Sequence, residues 1–336
     1  YLSWRLDADD LPRSVRPELR RRARTSHLPG AATVVPCPWF DKLAMSGKRE
    51  EWQQQPLILS LSKESKMPEL PEVENTRRNL VRAGLPGSTI TGANITWANT
   101  VKKPSAAELA EGLKGRTIQD IERRGKYLIL PLSGSGPANF VIHLGMTGRL
   151  QVQPQSQEPD PMTRHSFPLE DGRELRFVDG RKFGKLWLVD SPTEVLPTMS
   201  PEPFEDEFTV ETLAESFSGR KAPVKALLLE QSIVCGLGNL YADESLFLAG
   251  LRPERPASDL SIDEVATLRQ AIIDALSAAY GVYDRARDQL WPDPPTALTT
   301  WSHPRDIKAA CPNCETSMTA IRVQARGTYF CSKCQV

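Results

Sequence analysis

Met67-Pro68-Glu69-Leu70-Pro71-Glu72-Val73-Glu74 reads as a beginning, although 66 residues precede it. Methionine followed by proline is a context from which an initiator methionine is normally removed. If translation starts at Met67, Pro68 becomes the N-terminal residue and its nitrogen a free secondary amine. Such an α-amino group has a pKa near ~8, against ~10.4 for lysine, so it is partly unprotonated at neutral pH without burial. Attack by that amine on a sugar C1′ gives an iminium ion, the Schiff-base chemistry usually assigned to lysine. Glu69, the next residue, is placed to move protons. The same eight residues also suit a plain helix start, with prolines in the first turn and acids facing the helix dipole. From Pro71 to Ala83 the spacing predicts an amphipathic helix, with Val73, Leu80 and Val81 apolar and Arg77, Arg78 and Arg82 polar. Gly84 and Pro86-Gly87 end it.

Outward from this stretch, the chain divides by charge. Residues 1–66 carry 12 Lys+Arg against 8 Asp+Glu, while residues 67–336 carry 30 against 34. The part from Met67 on is net acidic, so any nucleic-acid contact must come from clustered cations rather than from bulk charge. A chain of 336 residues can hold two domains with their own cores. No apolar run approaches the ~18–20 residues that span a membrane. Residues 1–66 are arginine-rich around Arg20 to Arg24, as targeting peptides are, but Asp7, Asp9, Asp10, Glu18, Glu50 and Glu51 oppose that reading. The expectation is upstream reading frame outside the functional protein. If the segment stays attached, Pro68 is a tertiary amide and cannot attack.

After the helix come strand-like segments at 89–97, 117–123, 127–132, 140–144, 149–152, 174–177 and 186–189, with a polar, proline-rich loop at 153–161. Many short strands with turn residues between them predict a β-sandwich. Three small motifs lie within it. Arg123-Arg124-Gly125-Lys126-Tyr127 sets three cations beside a strand, and alone reads as a solvated edge. His143-Leu144-Gly145-Met146-Thr147-Gly148 frames an exposed methionine with glycines, and alone reads as a tight turn. Asp179-Gly180-Arg181-Lys182-Phe183-Gly184 alone reads as an ordinary hairpin.

Residues 191–207 are rich in proline and acids, as a linker is. Helical patterns follow at 210–216, 224–230, 240–249 and 262–279. Between the second and third lies Gln231-Ser232-Ile233-Val234-Cys235-Gly236-Leu237-Gly238-Asn239. Its glycines let backbone approach a phosphate at a helix N-terminus, or simply connect two helices. Near the end, Cys311-x-x-Cys314 and Cys331-x-x-Cys334 stand 16 residues apart. Four thiolates in paired knuckles match a closed tetrahedral zinc site, structural because no ligand position stays open. The hairpin-like residues 319–330 between them are too short to hold themselves without the metal.

Taken in order, these motifs resemble the formamidopyrimidine-DNA glycosylase family of base-excision repair enzymes, which includes endonuclease VIII. The resemblance covers residues 67–281 and 311–336. It implies an α+β fold: a β-sandwich with an N-terminal helix, then a helix–two-turns–helix domain with a zinc β-hairpin finger. Domain boundaries are expected at 67–195, 196–296 and 297–336. It implies Pro68 as nucleophile, Glu69 as general acid/base, Glu72 as supporting carboxylate and Lys126 beside them. Lys126, His143, Asn239 and Arg326 would contact phosphate. Met146, Arg181 and Phe183 would enter the duplex where a nucleotide is everted, since a stacked base cannot expose C1′ to a bulky amine.

The implied function is a bifunctional DNA glycosylase and abasic-site lyase, a monomer acting on damaged double-stranded DNA in a bacterial-type cytoplasm, without a membrane. Oxidised purines are the first expected substrates and oxidised pyrimidines the alternative. A non-catalytic damage-binding protein is the rival if the extension blocks Pro68. Residues 282–310 depart from the family's Gly/Ser/Thr-rich stretch and its Tyr-Gly-Arg-like approach to the knuckle. They read Val282-Tyr283-Asp284-Arg285, then Trp291-Pro292, then Trp301-Ser302-His303.

Overall fold

The computed structural model describes residues 67–285 and 304–336; the readings made for residues 1–66 and 286–303 lie outside them. Helix α1 (Leu70–Arg82) opens the described chain, one residue earlier at each end than its pattern predicts. Glu69 is its N-cap, and the Glu69 N–H donates to the Glu72 carboxylate at 3.0 Å, as in a capping box. The helix is not simply amphipathic. Val81, expected on the apolar face, is 40% exposed, while Glu74 and Arg78 are buried. The reason is that α1 is covered twice. Val73 and Leu80 enter the sandwich core. On another side Glu74 accepts hydrogen bonds from Arg77, Arg78 and Arg123, each at 3.2 Å or less. Ion-paired burial leaves no hydrophobic period to read.

Nine strands build the sandwich: β1 (Asn94–Ile95), β2 (Val101–Lys103), β3 (Glu122–Arg124), β4 (Tyr127–Pro131), β5 (Asn139–His143), β6 (Arg149–Pro154), β7 (Thr163–Pro168), β8 (Arg173–Val178) and β9 (Lys185–Val189). One sheet runs β1-β7-β8-β6 and the other β2-β9-β5-β4-β3. All pairings are antiparallel except β2 with β9. Their inner faces share one core, where Phe140 of β5 meets Phe167 of β7 edge-on at 5.2 Å. The expected strands at 89–97 and 117–123 are largely isolated bridges, Thr89 to Thr117, Ile90 to Leu169 and Ile118 to Leu132. Helix α2 (Ala106–Leu113), β2 and β7 were not expected. Strand β7 hides because His165 takes an inward position, fully buried, where an apolar residue would have marked the alternation.

The helical part comprises α3 (Val210–Phe217), α4 (Val224–Leu228), α5 (Asn239–Leu248) and α6 (Ile262–Arg285) around a second core. Residues 191–207 are no slack linker. Glu202 receives both terminal nitrogens of Arg123 at 2.7 Å and the Gly125 N–H at 2.7 Å, and Glu205 receives Arg124 at 2.9 Å. Two of the three cations that suggested a solvated strand edge therefore fasten the two cores together. The chain ends in the hairpin β10 (Thr319–Val323) and β11 (Arg326–Phe330), turned by Gln324 and Ala325 at φ 45° and 60°. Two left-handed turn residues match the twist of a hairpin, a role glycine and asparagine usually take. No helix among the described residues is long and apolar enough to cross a membrane.

Candidate active site

The start of α1 lies against the start of α5. Leu70 N–H donates to Gly236 O at 3.0 Å. The Glu69 carboxylate, 1% exposed, accepts the backbone N–H of Gly238 at 2.7 Å, Leu240 at 2.8 Å and Tyr241 at 3.3 Å. The positive end of α5 thus holds a carboxylate of the protein itself, where the sequence suggested a phosphate. The two glycines make this approach possible. A Cβ on Gly236 would lie 2.3 Å from Leu70 Cδ1, and one on Gly238 would lie 2.4 Å from Glu69 Cδ.

Burial lifts the Glu69 pKa to about 7, against the pull of Lys126; the Glu72 charge adds to the rise and the Leu240 and Tyr241 amides oppose it. An acid poised near neutrality can both give and take a proton. Lys126 donates to Leu237 O at 2.8 Å. Burial lowers its pKa and the Glu69 charge raises it back in part. Glu72 Oε1 accepts two phenols, Tyr241 at 2.8 Å and Tyr283 at 2.9 Å. Pro68, half-buried, immediately precedes this group. Four residues singled out from the sequence, Pro68, Glu69, Glu72 and Lys126, come together here.

A second group sits on two loops of the sandwich. Asp179, fully buried, accepts Thr147 Oγ1 at 2.5 Å, Gly184 N–H at 2.8 Å and Arg181 N–H at 3.2 Å. It ties residues 143–148 to residues 179–184. Gly145 lies so close to the second loop that a Cβ there would fall 2.5 Å from the Phe183 carbonyl carbon. Phe183 is 50% exposed, with the Arg181 guanidinium 5.1 Å from its ring centre. Met146 is half-buried, not exposed as expected. His143 accepts the Gly145 N–H on Nδ1 at 3.1 Å, which leaves Nε2 to carry the proton. Burial pushes its pKa down to about 4, with Lys126 and Lys185 adding to the fall, so the ring is neutral near pH 7.

The third group is the terminal hairpin. The Sγ atoms of Cys311, Cys314, Cys331 and Cys334 all lie within 4.8 Å of one another. Tetrahedral ligation at Zn–S ~2.3 Å sets the sulfurs roughly 3.8 Å apart, and the pairs Cys311–Cys334 and Cys314–Cys331 stand at 3.9 and 3.4 Å. The donor set fits zinc. Arg326 is exposed at the turn, and its charge reaches Lys126. Asn239 Nδ2 donates to Gly327 O at 3.1 Å, linking α5 to the hairpin. Beneath them Lys225, fully buried, pairs with Asp243 at 2.7 Å and donates to Thr328 Oγ1 at 2.6 Å. Arg305 also pairs with Asp243.

The family model of the Formamidopyrimidine-DNA glycosylase N-terminal domain matches residues 67–186, beginning at Met67. That of the Formamidopyrimidine-DNA glycosylase H2TH domain matches residues 199–285. The Formamidopyrimidine-DNA glycosylase of Acaryochloris marina is 36% identical over 283 residues, covering 80% of this chain and 99% of its own. The chain belongs to the formamidopyrimidine-DNA glycosylase family. Its relative from Halalkalibacterium halodurans is 37% identical over 278 residues, matched over its whole length. Among solved structures, Lactococcus lactis formamidopyrimidine-DNA glycosylase bound non-covalently to DNA containing an AP site is 30% identical, with a TM-score of 0.69 over 80% of this chain and 99% of that one. MutM in complex with DNA containing carbocyclic 8-oxo-G has the same identity and a TM-score of 0.71.

Within this family member, sequence reasoning missed Tyr241, Tyr283, Asp179, Lys225, Asp243 and Arg305. Tyr283 falls in the stretch read as departing from the family, yet it ends α6 against Glu72. Arg305, from the same stretch, supplies an arginine on the approach to the knuckle. Lys225 and Asp243 had one legible signal, opposite charges at otherwise apolar helix positions.

Proposed function

We propose that the chain from Pro68 on is a bifunctional DNA glycosylase and abasic-site lyase of base-excision repair. The Pro68 nitrogen attacks C1′ of an everted nucleotide and the bond from C1′ to the base breaks. The base leaves with its electron pair and takes up the proton that the Pro68 nitrogen gives up. Glu69 supplies a proton to the ring oxygen as the sugar opens, and the iminium forms. The iminium acidifies the C2′ proton, whose removal expels the 3′ phosphate; a second elimination releases the 5′ phosphate. The observation that carries this reading is the buried Glu69 carboxylate, next in sequence to Pro68 and poised near neutrality beside Lys126.

Lys126, His143, Asn239 and Arg326 take phosphate oxygens, while Met146, Arg181 and Phe183 fill the space of the everted nucleotide. The four cysteines hold one structural zinc ion, which fixes Arg326 on the hairpin turn. Oxidised purines are the substrates, a reading supported by the relatives' names and by solved relatives bound to DNA containing Fapy-dG or carbocyclic 8-oxo-G.

The amine is the test. A chain starting at Met67, its methionine removed, is trapped on abasic DNA by borohydride, which reduces the iminium to a stable amine. The full 336-residue chain, with Pro68 in a peptide bond, is not trapped. Equal trapping of both would remove Pro68 from the mechanism.

A further inference from the structure

Helix α6 runs past Ala279, where its sequence pattern stops, and its last turn reaches the N-terminus of α1. Tyr283 there is 4% exposed and donates its O–H to Glu72 Oε1 at 2.9 Å, beside the Tyr241 O–H at 2.8 Å. Glu72 Oε2 takes the Glu69 N–H at 3.0 Å. Asp284 pairs with Arg78 at 2.8 Å and pins the turn. The glycine- and serine-rich stretch that the resemblance leads one to expect at this point offers no side chain long enough to reach Glu72.

We infer that Tyr283 is a positioning residue for the reaction at Pro68: it holds Glu72, Glu72 holds the Glu69 amide, and that amide belongs to the residue next to the nucleophile. The inference rests on the reading of Pro68 as nucleophile. Three donors share the two oxygens of Glu72, from α1, α5 and α6, so the carboxylate has one orientation. Removing one phenol lets it turn and weakens the stabilisation of its charge. The groups that face Glu72 are the Glu69 carboxylate, the Lys126 ammonium and the two phenols, with the Pro68 amine joining them once freed.

The experiment is single-turnover borohydride trapping on an abasic duplex, with duplex affinity measured separately. It uses the chain from Met67, because solved relatives are covered over 99% of their own length by 80% of this chain. Tyr283→Phe keeps the ring and removes the donor. It slows trapping roughly tenfold with affinity unchanged. Tyr241→Phe does the same, and the double variant loses less than the product of the two, because both act through one carboxylate. Asp284→Ala loosens the same turn without touching Glu72, so it lowers the thermal midpoint and leaves the trapping rate in place. If wild type traps and Tyr283→Phe matches it in rate, the inference is wrong. An equal slowing in Asp284→Ala would also overturn it, by making the effect one of loosened structure. Failure of wild type itself to trap would instead remove the nucleophile.

Discussion

Gly238 has no side chain where the Glu69 carboxylate needs the room. That contact joins the proposed catalytic acid to the backbone of α5, so its geometry is set by helix packing and not by a rotamer. Both oxygens of Glu69 receive amide hydrogens, Oε1 from Leu240 and Oε2 from Gly238 and Tyr241. A methyl group on Gly238 would meet carboxylate atoms at 2.4 and 2.6 Å, well inside contact distance. Either Glu69 turns away or the first turn of α5 shifts. Gly238→Ala is expected to cost about 1–3 kcal/mol of stability, as overpacking does. Excision should fall by roughly a hundredfold or more, the scale on which a positioned acid acts. Single-turnover excision and thermal melting, measured on the same preparation, check both. A variant with a lowered melting point and wild-type excision would show that Glu69 works without its amide cradle.

At the scale of elements, the terminal hairpin is held from both ends. At the knuckle, Phe247 of α5 packs with Cys311, Met318 and Cys331, and Val336 N–H donates to Gly250 O at 2.9 Å. At the turn, Gly327 O collects Asn239 at 3.1 Å and Lys225 at 3.1 Å. Chelation should therefore release the hairpin from the metal end while the sandwich, with its separate core, stays folded. One zinc per chain is expected. Its removal should weaken duplex binding by at least tenfold and leave the far-ultraviolet β signal in place. Metal content well below one per chain with binding intact would contradict this.

The knuckles were legible because ligand spacing is a local signal. The start of α1 was legible because proline and acids mark a helix start wherever it packs. The grip of α5 on Glu69 was not, since Gly236 and Gly238 suit a phosphate or a carboxylate equally until α1 is placed beside them. Strand β7 and the buried pair Lys225–Asp243 stayed hidden for a related reason: hydrophobic periodicity records transfer from water, and these positions are buried by pairing. Tyr283 was read as a departure because its partner lies 211 residues away.

Across residues 67–336, which carry 30 Lys+Arg against 34 Asp+Glu, a net acidic chain must hold an anionic duplex with a few cations. Many arginines are already engaged within the fold, Arg123 and Arg124 with Glu202 and Glu205, Arg78 with Glu74 and Asp284. The proposed phosphate contacts then differ in charge. Lys126 and Arg326 are cations. Asn239 is neutral, and so is His143, whose pKa lies near 4. Each cation that neutralises a phosphate releases condensed counterions, so its loss should lower the salt slope of binding by about 1. Arg326→Ala is expected to do this and to weaken binding to all abasic duplexes alike, whichever base lies opposite. His143→Ala should weaken binding and leave the slope unchanged. Arg181→Ala should differ in kind from both. Its side chain stands exposed over Phe183 on the loop that Asp179 fixes, so it is placed to meet the orphaned base. Its penalty should vary with that base, by roughly 1–3 kcal/mol for a good bidentate contact. The measurement is affinity against salt for the three variants on duplexes with each of the four opposing bases. An unchanged slope in Arg326→Ala would take the hairpin arginine off the phosphate. A uniform loss in Arg181→Ala would take the wedge loop off the orphaned base, even with the glycosylase chemistry intact.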